Sequence, residues 1–132
     1  MPAAPLALVV DDDVDTREMY AWCLEGHGYR VRLAGSVPAA LTQTADEVPD
    51  VVITDYMLPG GDGFSLAEAL RSSARTSDIA LVLVSGRSFE GEAKELAARL
   101  FDLVLLKPVL PEDLASQVVP LSAGRSVSHL II

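Results

Sequence analysis

The chain has 132 residues, half of them apolar, and a formal net charge of −9. This length fits one domain with enough residues to bury a hydrophobic core, and the apolar content argues against a disordered chain. The acidic surface disfavours direct binding of nucleic acid, and no apolar run is long enough to span a membrane.

The first half of the chain predicts strands and helices in alternation. Residues 6–10, LALVV, form an apolar run without polar interruption, and residues 29–35 alternate as in a half-buried strand. The helix between them is predicted over residues 15–28, with Asp15 as its N-cap and two glycines closing it. A second helix is expected to start after Ser36, which can serve as its N-cap.

The second half continues the alternation with three more strands and three more helices. In chain order, these elements are predicted over residues 50–54, 64–74, 79–85, 89–100, 103–106 and 111–119. Pro111 suits the first turn of the last helix, which we expect to end before Pro120. Residues 1–120 are therefore interpreted as one domain, and residues 121–132 as a C-terminal tail or the start of a linker.

The order of elements is strand then helix, five times over. Strands without polar alternation are typical of a parallel sheet that is covered by helices on both faces. Because crossovers between parallel strands are right-handed, an α/β fold with a doubly wound five-stranded parallel sheet, (βα)5, is favoured.

Polar residues follow four of the five predicted strands. Three consecutive aspartates at residues 11–13 follow the first strand, Asp55 follows the third, Ser85 the fourth and Lys107 the fifth. The carboxyl ends of parallel strands meet at one edge of a sheet, where such folds bind their ligands. We therefore expect these side chains to form one site.

Carboxylates at close quarters repel one another unless a cation neutralises them, and oxygen ligands suit a hard ion such as Mg²⁺. A metal ion and Lys107 beside Asp55 would suit transfer of a phosphoryl group, with Asp55 as the nucleophile. Taken singly, Asp12 fits a loop or helix-cap role equally well, and Ser85 fits a helix cap. The set as a whole favours the functional interpretation.

The remaining candidates have weaker patterns. The single cysteine, Cys23, is expected on the buried face of the first helix; it allows no internal disulfide and indicates a reducing, cytoplasmic environment. We expect structural or solvated roles for His27 and His129, since we identify no carboxylate or cysteine at a useful spacing from either. Arg17 is expected to be an exposed helix charge, and Asp62 a turn residue.

Four motifs identify a family. The segments LVVDDD (8–13), VVITDYMLPGGDG (51–63), LVLVSG (81–86) and LLKPV (105–109) occur in this order. With them, residues 6–119 resemble the receiver domain of bacterial two-component response regulators. The resemblance implies the flavodoxin-like receiver fold.

The resemblance also implies roles for the strand-end residues. Asp55 would accept a phosphoryl group from a phosphohistidine, Ser85 would donate a hydrogen bond to that group, and Lys107 would pair with it. The peptide bond between Lys107 and Pro108 would be cis.

The resemblance further implies a magnesium site. The ligands would be Asp11, Asp12, Asp55 and the backbone carbonyl of Met57, with Asp12 as a direct ligand.

The family also implies partners and a class of activity. A sensor histidine kinase or a phosphotransfer protein would supply the phosphoryl group, and a downstream protein or effector domain would read the response. The domain would be a signalling module rather than an enzyme, limited to Mg²⁺-dependent self-phosphorylation and autodephosphorylation. Phosphorylation-independent docking is the alternative function, and a weak homodimer stays open.

The chain departs from the family pattern at the fifth strand. A switch aromatic is usual three residues before the lysine, where this sequence has Val104. Since valine has no ring to swing, we expect the conformational response to be carried by the loop at residues 86–91, which contains two glycines.

Overall fold

The computed structural model describes residues 4–131, with side chains described up to residue 121. Seven strands are present in the described residues: β1 Leu6–Val10, β2 Arg30–Ala34, β3 Val51–Asp55, β4 Met57–Leu58, β5 Gly61–Asp62, β6 Ala80–Ser85 and β7 Leu103–Leu106. Five helices alternate with them: α1 Val14–Gly26, α2 Val37–Asp46, α3 Gly63–Arg71, α4 Gly91–Leu100 and α5 Pro111–Ile131.

Five of the strands form one parallel sheet in the order β2-β1-β3-β6-β7. The predicted doubly wound (βα)5 architecture is therefore confirmed. β3 is the central strand, and its last residue is Asp55. The two short strands that were not predicted, β4 and β5, form a separate antiparallel pair directly after β3.

The sheet separates two hydrophobic cores. Alternate residues of each strand point to opposite faces, so that Val52 joins one core and Ile53 the other. The first core contains residues of α2, α3 and α4, and the second contains residues of α1 and α5. Helices on both faces leave β1, β3 and β6 buried, which explains their unbroken apolar runs.

The N-terminus of α1 differs from the prediction. Asp13, in extended conformation, is the N-cap and accepts a hydrogen bond from the Thr16 amide at 3.4 Å, whereas Asp15 already lies in the first turn. The chain leaves β1 in extended conformation, so the first residue that can cap the helix is the earlier one. For α2 the prediction is confirmed, since Ser36 accepts from the Ala39 amide at 3.1 Å.

The end of α5 also differs from the prediction. The helix does not stop before Pro120 but continues through it to Ile131. Proline removes one helical hydrogen bond and crowds the preceding turn. Val118 is fully buried, and Val119 and Leu121 pack against the same core on either side of Pro120, so packing holds the helix across this position. The side chain of His129 lies outside the described residues.

The starts of α3 and α4 reflect local contacts. Asp62 is the N-cap of α3, and its carboxylate accepts from the Ser65 amide at 2.8 Å while the Ser65 hydroxyl accepts from the Asp62 amide at 2.9 Å. α4 begins at Gly91, two residues later than expected, because Phe89 packs against other rings ahead of the helix. None of the helices in the described part of the chain has the length and apolar character needed to cross a bilayer.

Candidate functional site

The carboxyl edge of the sheet brings the predicted acidic residues together. Asp11 and Asp12 follow β1, and Asp55 ends β3. One carboxylate oxygen from each of the three lies within 4.8 Å of the other two. The expected cluster is therefore present, and its oxygen-only donors suit a hard divalent cation.

Asp55 is held in place by two hydrogen-bonding contacts. Its Oδ1 atom accepts from the Tyr56 amide at 2.8 Å and lies 3.1 Å from Lys107 Nζ. The Asp55 side chain is only 12% exposed, so the ion pair with Lys107 is partly shielded from water. Among the described residues, both of these contacts are made by Oδ1, and no donor is found for Oδ2.

Asp11 is the buried member of the cluster, with 5% of its surface exposed. Its Oδ1 atom accepts from the Asp13 amide at 2.9 Å. Burial raises the pKa of this carboxyl; the Asp13 amide and Lys107 oppose the shift, while the neighbouring Asp55 and Asp12 add to it. The ionised form of Asp11 is therefore costly here until positive charge arrives.

Two side chains beneath the cluster were not foreseen from the sequence. Arg17 is partly buried rather than exposed. Its Nη1 atom donates to the Asp11 carbonyl at 3.0 Å, and its buried Nε atom finds no hydrogen-bond partner among the described residues. Tyr20 donates from its hydroxyl to the Val109 carbonyl at 2.9 Å. Burial raises the pKa of Tyr20, and the negative charges of Asp11 and Asp55 raise it further.

Gly35 explains the position of Arg17. A Cβ atom at this glycine would lie 2.6 Å from Arg17 Nη1, so the guanidinium fills the space that a side chain would need. Helix spacing in the sequence places Arg17 one turn beyond Asp13, but only the approach of residue 35 encloses it. The sequence therefore contains no pattern that predicts the burial of Arg17.

Ser85 lies at the end of β6 and is fully buried. Its hydroxyl donates to the Arg87 carbonyl at 2.8 Å and accepts from the Arg87 amide at 3.1 Å. The Lys107 amide donates to the Ser85 carbonyl at 2.7 Å, which links the two strand ends. Ser85 therefore borders the site, but its hydroxyl is engaged by the following loop rather than by Asp55.

The turn after β3 depends on Gly63. Its amide donates to the Tyr56 carbonyl at 2.7 Å, and a Cβ atom here would lie 2.8 Å from the Asp55 carbonyl oxygen. Only glycine lets α3 start this close to the strand that carries the aspartate. Met57, in β4, pairs with Asp62 and exposes 67% of its side chain.

An aromatic cluster adjoins the site on the side of β6. The rings of Tyr56, Phe64 and Phe89 lie 5.0–5.2 Å apart between centroids. The Arg87 guanidinium lies 5.6 Å from the centroids of Tyr56 and Phe89, a distance typical of cation–π contact. The loop that binds the Ser85 hydroxyl is thus packed on rings that start next to Asp55.

A groove of about 280 Å³ follows this loop, lined by Arg87, Ser88, Phe89, Lys94, Ala97, Ala98, Val104 and Leu106. Val104 is 43% exposed on its floor. Because Val104 is smaller than the aromatic residue usual in the sequence pattern described above, this volume is left open. The Lys107–Pro108 peptide bond, on the same strand end, is cis as expected.

Comparison with known proteins gives a consistent result. The family model of the response regulator receiver domain matches residues 7–119. The phosphate regulon transcriptional regulatory protein PhoB of Klebsiella pneumoniae is 32% identical over 111 residues, which cover 84% of this chain and 48% of that protein. The response regulator Rre1 of Synechocystis sp. is 31% identical over 128 residues, or 96% of this chain and 55% of Rre1.

Solved structures agree in fold. The chemotaxis response regulator CheY4 of Vibrio cholerae matches with a TM-score of 0.82 and 25% identity, covering 89% of this chain and 98% of CheY4. A CheY-like receiver domain from Methylobacillus flagellatus matches with a TM-score of 0.79 and 28% identity, covering 89% and 98%. The chain spans about half the length of the curated relatives it matches but nearly all of these structures.

Proposed function

The chain belongs to the response regulator receiver domain family, and from this premise we propose that Asp55 is its phosphoacceptor. The observation that carries the proposal is the position of Asp55. It ends the central strand, lies 3.1 Å from Lys107 and shares a 4.8 Å cluster with Asp11 and Asp12. The donor would be the phosphohistidine of a sensor histidine kinase or a phosphotransfer protein.

In the proposed reaction a carboxylate oxygen of Asp55 attacks the phosphorus atom. The new P–O bond forms as the P–N bond breaks, and the histidine leaves with the bonding electron pair. Oδ2 is the oxygen suited to this attack, because Oδ1 is engaged by the Tyr56 amide and by Lys107. Lys107, whose Nζ atom lies 3.1 Å from Asp55 Oδ1, would pair with the charge on the transferred group.

The same residues fit a magnesium ion. Asp11, Asp12 and Asp55 offer oxygens at compatible distances, and the buried Asp11 carboxylate would be relieved of its unfavourable charge. We propose these three and the backbone carbonyl of Met57 as its ligands. When bound, the ion balances the negative charge that gathers on the phosphoryl oxygens during transfer.

Phosphorylation would then change the surface of the domain. Ser85 would exchange its hydrogen bonds with Arg87 for one to the phosphoryl group, which would release the loop at residues 86–91. A partner or effector domain that binds one loop conformation better than the other would read the signal. Because the phosphoryl group would be gained and lost on the protein itself, the domain would be a signalling module rather than an enzyme that acts on small molecules. The single cysteine favours a cytoplasmic location for it.

Labelling with acetyl phosphate or with a phosphorylated histidine kinase tests the acceptor. We expect the parent chain to acquire one hydroxylamine-sensitive label that requires Mg²⁺. Asp55→Asn should lose the label while keeping the fold, judged by circular dichroism. Asp15→Asn, which removes an exposed carboxylate outside the cluster, is the control and should be labelled normally.

Undiminished labelling of Asp55→Asn would show that another residue is the acceptor. A parent chain that takes no label from any donor, yet binds its partner, would favour the docking alternative.

A further inference from the structure

A second cluster of ligand-type side chains lies where α1 meets α5, on the face of the sheet opposite α3. The Cys23 Sγ atom lies 3.1 Å from Glu112 Oε1, and His27 Nε2 lies 3.2 Å from Glu112 Oε2. One ligand atom from each of the three residues lies within 4.8 Å of the other two. The function proposed above uses none of these side chains.

The cluster corrects the interpretation that no cysteine or carboxylate lies at a useful spacing from His27 and that its role is only structural or solvated. Cys23 and His27 are four residues apart, so that helix α1 and its C-cap present them on one side. Glu112 comes from the first turn of α5, 89 residues beyond Cys23. The shared core under α1 and α5, which includes Leu24 and Leu114, fixes the two helices against each other.

The cluster is open to solvent on one side. Cys23 is 6% exposed, whereas the His27 and Glu112 side chains are 39% and 79% exposed. A cavity of about 280 Å³ reaches the group and is lined by Trp22, Cys23, Glu25, Gly26, His27 and Glu112. A small ion can therefore reach the sulfur, and water has room to complete its coordination.

The spacing of the ligand atoms suits a tetrahedral ion. Zinc binds sulfur at about 2.3 Å and nitrogen or oxygen at about 2.0 Å, which at tetrahedral angles sets neighbouring ligands about 3.3–3.5 Å apart. Glu112 contacts Cys23 Sγ at 3.1 Å with one carboxylate oxygen and His27 Nε2 at 3.2 Å with the other. To hold an ion, the exposed Glu112 carboxylate would turn one oxygen toward the metal, and Cys23 and His27, whose ligand atoms already lie within 4.8 Å of each other, would close on it.

We propose that Cys23, His27 and Glu112 form a binding site for a transition-metal ion of the Zn²⁺ class, with water as the fourth ligand. A thiolate and an imidazole select such ions over Mg²⁺, which prefers oxygen, so this site differs in chemistry from the aspartate cluster. Binding displaces the thiol proton that Cys23 now donates to Glu112, and this proton is released to solvent. The ion joins α1 to the first turn of α5.

Cobalt is a direct probe because a Co²⁺–thiolate bond absorbs in the near ultraviolet. Titration of the full chain with Co²⁺ should give a charge-transfer band that saturates at one ion per chain. Quenching of Trp22, the only tryptophan, should follow the same curve. Zn²⁺ should abolish the band at equal concentration, whereas excess Mg²⁺ should leave it unchanged.

Matched variants distinguish a metal site formed by three residues from metal binding by the Cys23 thiol alone. Cys23→Ser should lose the band, and His27→Gln and Glu112→Gln should each weaken Co²⁺ binding by about tenfold or more, the size of effect expected for groups that tune a metal site. Glu25→Gln, which lines the cavity outside the cluster, should bind as the parent does. With excess Mg²⁺ present to occupy the aspartate cluster, Zn²⁺ should raise the melting temperature of the parent and of Glu25→Gln but not of Cys23→Ser.

Absence of the band in a chain whose Cys23 still reacts with a thiol reagent would overturn the proposal. So would a band that keeps its full affinity in both His27→Gln and Glu112→Gln, since that result indicates binding by the thiol alone. Loss of Asp55 phosphorylation would bear only on the proposed function, because the two sites share no residue.

Discussion

At the scale of single residues, the site contains two different carboxylates. Burial disfavours the ionised form of Asp11, whereas Asp55 forms an ion pair with a lysine. Asp11 is 5% exposed, and burial together with its acidic neighbours raises its pKa. Asp55, which is 12% exposed, has Lys107 at 3.1 Å. The proposed cation site thus contains a carboxylate whose ionised form is disfavoured by folding, so the free energy of unfolding should depend on Asp11.

Replacement of Asp11 by asparagine tests this cost. The unfolded chain ionises Asp11 near its ordinary pKa of 3.8, but the folded chain does so at higher pH, so stability contributed by this group falls as pH rises through that window. Asp11→Asn should therefore have a higher free energy of unfolding than the parent at neutral pH. The difference should disappear below the ordinary pKa, as measured by urea titration at several pH values.

The exposed neighbour provides the control. Asp12→Asn removes the same charge from the same cluster but not from a buried position, and should stabilise the chain less. Equal free energies of unfolding for the parent and Asp11→Asn at all pH values would show that the ionised form of Asp11 does not destabilise the folded chain. If Mg²⁺ binds the cluster, its addition should reduce the difference in free energy of unfolding between Asp11→Asn and the parent. The ion would offset the repulsion between the carboxylates in the parent.

Gly63 makes a second residue-scale test. In Gly63→Ala, the new methyl group would lie 2.8 Å from the Asp55 carbonyl oxygen and 2.9 Å from Leu83 Cδ1. We expect a loss of about 1–3 kcal/mol in the free energy of unfolding, typical of overpacking, together with slower phosphorylation. Gly86→Ala, where nothing lies within 4 Å of the new Cβ, should change stability by less than about 0.5 kcal/mol. Similar losses in both variants would show that backbone freedom, rather than the contact with Asp55, sets the requirement for glycine.

At the scale of elements, the response of the domain depends on the segment between β6 and α4. Arg87 is bound to the Ser85 hydroxyl through its backbone and to Tyr56 and Phe89 through its guanidinium. β7 is an edge strand, and Val104 leaves the adjoining groove open. We therefore expect a change at Ser85 to be transmitted first to the loop, because β7 lines the groove only with the aliphatic side chains of Val104 and Leu106 and offers it no aromatic ring.

Beryllofluoride, a mimic of the phosphoryl group, tests whether the loop at residues 86–91 responds more strongly than β7. Amide chemical shifts should change strongly at residues 86–91 and weakly across residues 102–115. In Val104→Tyr, a ring can occupy the groove, and we expect the changes to extend into residues 102–115. Large contiguous shifts through 102–115 in the parent would show that β7 responds without an aromatic side chain.

The elements themselves were largely predictable, and the errors have local causes. Apolar runs located β1, β3 and β6 because burial on both faces excludes polar residues from them, and a shorter apolar run located β7. The edge strand β2 was located instead by its alternation of apolar and charged residues. The N-cap of α1 was assigned two residues late, since the choice between Asp13 and Asp15 depends on where extended backbone ends. Pro120 was read as a stop, although packing of Val119 and Leu121 carries α5 past it.

At the scale of the whole molecule, the sequence predicts which residues meet at the strand ends, but it does not predict which helix side chains meet. The acidic cluster was predictable because parallel strands bring their carboxyl ends to one edge, whatever their order. Cys23 and Glu112 are 89 residues apart and meet only because α1 and α5 cover the same face of the sheet. The enclosure of Arg17 by Gly35 likewise needs the packed fold.

Because β3 lies in the middle of the sheet, the free energy of local unfolding should differ between the parts of the site. Hydrogen bonds to β1 and β6 and a core on each face protect the backbone that ends in Asp55. We therefore expect its amides to exchange with solvent only in rare, nearly global unfolding. Lys107 extends from an edge strand, and Arg87 from an exposed loop, which open at lower free energy. The phosphoryl group would thus arrive at the least mobile part of the molecule, and the segments free to respond would lie within reach around it.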